Sequence, residues 1–386
     1  MENRLKSVDF INLYHSYSEY YFPKIILNNK RKLINEEKNE ILKIYLDSKF
    51  LSDKIGIKIK NKIETSNIYD YEYRIVLDQG VVGFHFITDK SITAINKIIK
   101  YYFFVIFLRI NYVNMNKPLK FLENVYINLI TVNVPKKLSV PISVDDINSA
   151  CTEIYPESYG GPIYIWRDDE LYKVLIHEAL HSVHYDWEII HQELIPELKN
   201  LEMHISRENG LNANESYNEA GATFLMAFFK LKSKPEDKRK EKKLIRNYIM
   251  KEIEYSFENC AKLMIKYDIN DINDCNNVNL VSHCKYKQQA SAYCYIILKT
   301  GILWCIMDKC KLKDTKKHTD RIRCLEEFMS MGFWGKMGAS FQKLLIMILG
   351  DREFNKIINK KIKLLSHKIK KERSEKFYFT YNGSIK

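Results

Sequence analysis

Ile163-Tyr-Ile-Trp-Arg167-Asp-Asp-Glu-Leu-Tyr-Lys-Val-Leu-Ile-His177-Glu-Ala-Leu-His181 is the stretch from which the architecture unfolds. Its first five residues are β-branched and aromatic and predict a short strand, after which Asp168 and Asp169 predict the cap of a helix over residues 170–186. Inside that helix His177-Glu178-Ala-Leu-His181 is an H-E-x-x-H sequence, with apolar Val174-Leu-Ile176 ahead of it. Residues four apart share a helix face, so both imidazoles reach one ion, while Glu178 lies beside the open coordination position and can deprotonate a water there. Ten His in 386 residues, with 29 Glu, give 10 × 29/386 × 9/386, roughly 0.02 chance occurrences. Two incidental surface histidines are therefore the weaker account.

On the N-terminal side, residues 34–46 predict a charged amphipathic helix, 71–77 and 81–88 two strands around a turn at Asp78-Gln-Gly80, and 92–110 another helix. Residues 125–132, Val-Tyr-Ile-Asn-Leu-Ile-Thr-Val, are the best strand and predict a sheet interior. Gly160-Gly-Pro162 marks a turn. Downstream the pattern is helical, over 214–231, 236–267, 287–307, 321–329 and 342–363. The expected fold class is α+β: an N-terminal mixed sheet with helices, packed against a mainly helical C-terminal half, with the His177 helix between them. The expected divisions are an N-terminal helical arm (1–64), an α/β subdomain with a substrate edge strand at 163–167 (65–168), and a helical subdomain carrying the site helices (169–386).

Composition narrows the classes. At 46% hydrophobic and 28% charged the chain can bury a full core, and no apolar run approaches the ~18 residues of a membrane span. The opening Met1-Glu-Asn-Arg-Leu-Lys lacks an apolar signal region, so the expected setting is cytoplasmic and reducing, with all eight cysteines as thiols. Net charge is +13, but 49 Lys against 12 Arg in an Ile-, Asn- and Tyr-rich chain points to coding bias rather than to nucleic acid, which is not an expected partner.

A tetrahedral catalytic zinc needs a third protein ligand. The helix expected over 214–231 offers Glu219, 219 − 181 = 38 residues past the second His, with Ala220-Gly221-Ala222 allowing close helix approach. Glu215, four residues earlier on the same face, is the competitor; Glu219 is favoured because its neighbours are the small ones. His184 is expected at the rim or in the core. Asp186 is expected to be an exposed helix-end acid, with orientation of a zinc His as its alternative role.

His177-Glu-Ala-Leu-His181 with Asn218-Glu219-Ala220 resembles the signature of gluzincin metallopeptidases, the group of thermolysin and the anthrax-type lethal factors. The stretch 163–181, with Asn148-Ser149 and this Ile/Asn/Lys/Tyr-rich composition, is similar to metallopeptidases of large cytoplasmic DNA viruses such as insect poxviruses. The resemblance implies a zincin-like fold, one zinc per chain, peptide-bond hydrolysis and a viral or host-cytoplasmic setting. The Asp that thermolysin-like enzymes carry four residues after the ligand Glu is Thr223 here, which leaves its orienting role unassigned.

Hydrolysis also calls for an oxyanion donor. Tyr293 and Tyr295 sit among small residues in Gln288-Gln-Ala-Ser-Ala-Tyr-Cys-Tyr295; Tyr293 is taken as the donor, with Tyr217 an outside candidate. The expected activity is thus a zinc-dependent metalloendopeptidase with His177, His181 and Glu219 on the metal and Glu178 as general base. Its rival is a non-catalytic zincin-fold scaffold. Between residues 177 and 219 nine Asp/Glu face two Lys/Arg, a balance of 2 − 9 = −7, which raises the expectation of a polypeptide substrate basic near the scissile bond.

Overall fold

A computed structural model describes residues 9–47, 51–77, 80–111, 120–206, 210–232, 235–277, 284–309, 321–334, 338–369 and 381. Six strands form one mixed sheet: β1 (Leu27–Lys32), β2 (Tyr69–Leu77), β3 (Gly80–Thr88), β4 (Asn124–Val132), β5 (Ala150–Thr152) and β6 (Ile163–Arg167), in the order β1-β2-β3-β4-β6-β5. The first three pair antiparallel, β3, β4 and β6 run parallel, and β5 closes the sheet as a short antiparallel edge. The strongest apolar strand, β4, is central, as its β-branched run predicts, because both sheet faces are covered.

Alternation divides each central strand between two cores. Val125, Ile127 and Leu129 of β4 and Ile163 and Ile165 of β6 join the main core, while Ile130, Val132, Tyr164 and Trp166 join a satellite core beneath Asn35–Asp47 and Asp53–Thr65. The main core takes in the helix Ile92–Asn111, the His177 helix (Leu171–Ser182) and the C-terminal helices, and is continuous from Phe10 to Ile362. The expected divisions at 64/65 and 168/169 therefore do not separate cores. Among the described residues of the expected helical arm (1–64), β1 joins the sheet and Phe10 packs on Phe224 at 5.4 Å. Among the described residues every strand precedes the His177 helix, which is the expected helical C-terminal half.

Several expected elements shift. The segment expected to be one helix from 287 is non-helical through 291, then helical from 292 through a π-helix, Cys294–Leu298, which continues into Lys299–Lys309. The pattern over 342–363 divides at Gly350 into Gly338–Leu349 and Arg352–Ile369. Asp78 and Gln79 of the expected turn lie outside the described residues. The all-thiol expectation is corrected at one pair: Cys275 and Cys284, whose Cα atoms are 4.8 Å apart, form a disulfide. Their spacing, which matches no diagnostic motif, gave no hint of it. No described helix is long and apolar enough to cross a membrane.

The Gly160-Gly-Pro162 turn seats the edge strand. A Cβ on Gly161 would lie 1.7 Å from the Glu153 carbonyl oxygen, just beyond β5. Only glycine permits that approach, so Gly161→Ala should cost about 1–3 kcal/mol, read by chemical denaturation. An unchanged midpoint would show that the turn moves freely.

Candidate metal centre

The His177 helix does not start or end as its sequence suggests. Its first turn is capped by neither aspartate: Asp168 bonds Thr131 and Lys90, and Asp169 accepts the Lys136 backbone N–H, while Glu170 takes a left-handed conformation at the helix boundary (φ 58°) and pairs with Lys136. At the other end His184, also left-handed, stops the helix, with Tyr185 N–H on the Leu180 carbonyl at 3.0 Å. The chain therefore turns back four residues earlier than expected. That turn carries Asp186 inward, where it is buried with its Oδ2 3.0 Å from His181 Nδ1. The exposed helix-end acid is thus corrected to a buried partner of the second histidine.

The facing helix is Ala213–Phe228, and it lies close because Gly221 sits against the His177 helix and its following turn. A Cβ there would be 3.1 Å from Tyr185 Cε1 and 3.2 Å from Leu180 Cδ1. This approach sets two carboxylates, one turn apart, against the two imidazoles. Glu215 Oε2 is 3.0 Å from His177 Nε2 and 3.5 Å from His181 Nε2, and the two Nε2 atoms are 3.2 Å apart. Ligand atoms at ~2.0–2.1 Å from a tetrahedral ion are about 3.3–3.4 Å from each other, so these three atoms fit one such ion.

Glu219, expected as third ligand, has another place. Its Oε2 is 3.1 Å from His177 Nδ1, the ring nitrogen facing away from the cluster, and its Oε1 accepts from Lys173 Nζ. The correction is one helical turn: Glu215 completes the cluster and Glu219 backs His177. Asn-Glu occurs twice, at 214–215 and 218–219, and both copies are used. Asn218 meets His181 Nδ1 at 2.7 Å, and Asn214 donates to Asp186 Oδ2 at 2.8 Å. Thr223 only caps the Glu219 carbonyl of its own helix. A carboxylate oxygen thus lies 3.0–3.1 Å from each Nδ1, at His177 as an ion-pair contact without hydrogen-bond geometry.

Electrostatics follow this pairing. Burial pushes both imidazoles toward the neutral form, but Glu215 and Glu219 raise His177, and Asp186 and Glu215 hold His181 well above the usual range. Burial likewise works against the Glu215 and Glu219 carboxylates, and the adjacent histidines, with Lys173 on Glu219, outweigh it and hold both well below the carboxylate range. Glu178, 7% exposed, is raised by burial; Thr152 Oγ1 of β5 donates to its Oε2 at 2.6 Å.

Two hollows share His177, Glu178 and Tyr295. The larger, about 350 Å³, runs past His181 and Thr152 to Asn212 and Ser291. Its wall is the edge β5, not 163–167: β6 lies between β4 and β5 with all five residues buried, which corrects the expected substrate strand. Buried Arg167 at the end of β6 steadies that wall, donating to the carbonyls of Asn148 (2.7 Å), Val134 (2.8 Å) and Pro135 (3.2 Å).

Tyr293 does not face the cleft. Two residues apart on a helix are about 200° apart, so only one of Tyr293 and Tyr295 can. Tyr293 donates to Asn276 Oδ1 at 2.5 Å in the core, whereas the Tyr295 ring is 5.9 Å from that of His177, with its hydroxyl hydrogen-bonding Glu215. Burial and the carboxylates of Glu215, Glu178 and Glu219 keep that hydroxyl protonated. Tyr217 stacks on Tyr185 at 4.7 Å and donates to Phe328 O, away from the cleft. His184 stacks on Trp187 at 4.6 Å, and burial and Arg109 push it down to about 4. Of the acids counted between 177 and 219, those lining either hollow among the described residues are Glu178, Glu215 and Glu219. Glu193 is exposed and pairs with Lys199, while Arg207 and Glu208 lie outside the described residues. Compared with protein-family models, curated proteins and solved structures, the chain matches none.

Proposed function

We propose that this chain is a zinc-dependent metallopeptidase of zincin-like fold. One observation carries the proposal: His177 Nε2, His181 Nε2 and Glu215 Oε2 lie 3.0–3.5 Å apart, each histidine backed by a buried carboxylate, with Glu178 beside them. Two imidazoles and one carboxylate with one position left open are the donor set of a catalytic zinc. A zinc ion held there supplies Lewis acidity and brings the pKa of a water toward ~7.

The protein's own groups carry the protons. Glu178 takes the proton from the attacking water as the C–O bond forms, then delivers it to the amide nitrogen as the C–N bond breaks. Its raised pKa suits both roles, and Thr152 fixes the oxygen that waits. Tyr295, protonated and lining both hollows, donates to the oxygen of the tetrahedral intermediate. β5, the edge strand of the sheet, pairs with an extended peptide, whose scissile carbonyl then falls beside Glu178.

The test is metal analysis of the purified protein together with a peptide-library digest: about one zinc per chain and chelator-sensitive cleavage are expected. Protein that takes up no zinc overturns the proposal, and zinc held without cleavage returns the chain to a non-catalytic scaffold. Tyr295→Phe should lower kcat about 10²–10³-fold with KM little changed, because its hydrogen bond forms in the transition state. Tyr293→Phe should leave kcat alone. The reverse pattern would restore Tyr293 as donor.

A further inference from the structure

The smaller hollow is a recess of about 40 Å³ on the Val174 side of His177, with a chemistry unlike the rest of the cleft. Two lysines line it, Lys136 and Lys173, 2% and 5% exposed, and among the described residues no lysine lines the larger hollow. Lys136 Nζ is fixed by Glu170 Oε2 at 2.7 Å, and Lys173 Nζ by Glu219. The two carboxylates of the recess already have partners, Glu178 with Thr152 and Glu219 with Lys173 and His177. On the same wall the Ser149 hydroxyl, in a residue 6% exposed, is buried without a hydrogen-bond partner. Such groups are uncommon in folded proteins and costly unless a ligand satisfies them.

Resting on the metallopeptidase reading, we infer that this recess seats a substrate carboxylate beside the scissile bond, held by Lys136, Lys173 and the Ser149 hydroxyl. A carboxylate is acceptor-only and takes hydrogen bonds from both donor types present. Space agrees: a recess of about 40 Å³ admits a small polar group. The recess also carries the carboxylates of Glu178 and Glu219, each already partnered, so an acidic guest is selected by the donors of Lys136, Lys173 and Ser149 rather than by net charge. The inference reverses the basic preference raised by the charge count, because the described acids behind that count do not line the cleft beyond the centre itself. The carboxylate comes from an aspartate side chain or from the chain terminus, and amidated peptides separate the two.

The experiment digests free-acid and C-terminally amidated peptide libraries with zinc-loaded wild type and with Lys136→Met/Glu170→Gln, which removes both charges of the pair together. Wild type should favour an acidic group over Lys or Arg at one flanking position by about tenfold or more. The double variant should lose about tenfold of that preference while still cleaving peptides with Ala there. Cleavage that survives amidation assigns the carboxylate to a side chain; cleavage abolished by amidation assigns it to the terminus. Ser149→Ala, which removes only the hydroxyl, should slow acidic substrates about three- to tenfold and no others. A profile indifferent to charge, a basic preference, or an acid preference untouched in both variants overturns the inference and leaves the peptidase reading standing. Absence of any cleavage overturns both.

Discussion

Glu178→Gln should keep about one zinc per chain and lose peptidase activity by about 10²–10⁴-fold. Glutamine matches the shape of glutamate and keeps an oxygen for the Thr152 hydroxyl now donated at 2.6 Å, so packing and metal should be undisturbed. What disappears is the group that takes the proton from water and passes it to the leaving amine. Because the carboxylate is 7% exposed and its pKa is raised by burial, no solvent base stands in for it. Metal content by atomic absorption and kcat on a library-derived peptide decide the matter. Activity within tenfold of wild type would remove Glu178 as base, and loss of zinc would make it structural.

Glu215→Ala should release zinc to a weak chelator, while Glu219→Ala should bind it about 10–100-fold more weakly and keep it at stoichiometric concentrations. The difference lies in which ring nitrogen each acid addresses. Glu215 faces Nε2 of both histidines, so its loss removes a ligand atom, whereas Glu219 faces Nδ1 of His177 and only orients the ring. Competition with a chromogenic chelator measures both. Retention by Glu215→Ala with loss by Glu219→Ala would move the ligand one turn along the helix. The pH dependence has a definite sign. Without metal both histidines are raised above 6.5, and zinc binds only neutral imidazole. Zinc affinity should therefore fall as pH drops through neutrality, and a flat profile between pH 6 and 8 would contradict the pairing with Glu215, Glu219 and Asp186.

His177, Glu178 and His181 were legible from sequence because a helix repeats locally: positions four apart meet whatever the rest of the chain does. The same holds for β4, whose unbroken apolar run is what a strand covered on both faces demands. The sheet-plus-helices class followed from such periods. Beyond one element the period is silent. Glu215 and Glu219 share a helix face, and their sequence neighbours cannot say which of them lies level with Nε2; the offset between two helices, set by Gly221 against Leu180 and Tyr185, decides it. Tyr293 and Tyr295 differ by a rotation that the non-helical stretch before residue 292 sets.

Three-residue β5 is too short to carry a period of two, yet it is the cleft wall and holds Glu178 through Thr152. Asp186 became a partner of His181 only because His184 ends the helix early in a left-handed turn that its side chain does not advertise. Sequence by itself therefore determined which residues come together along one helix, since those contacts span a single turn. Tertiary structure decided the third carboxylate, the tyrosine, the wall and the recess, since each depends on the distance and rotation between elements far apart in the chain, which close packing of the shared core sets.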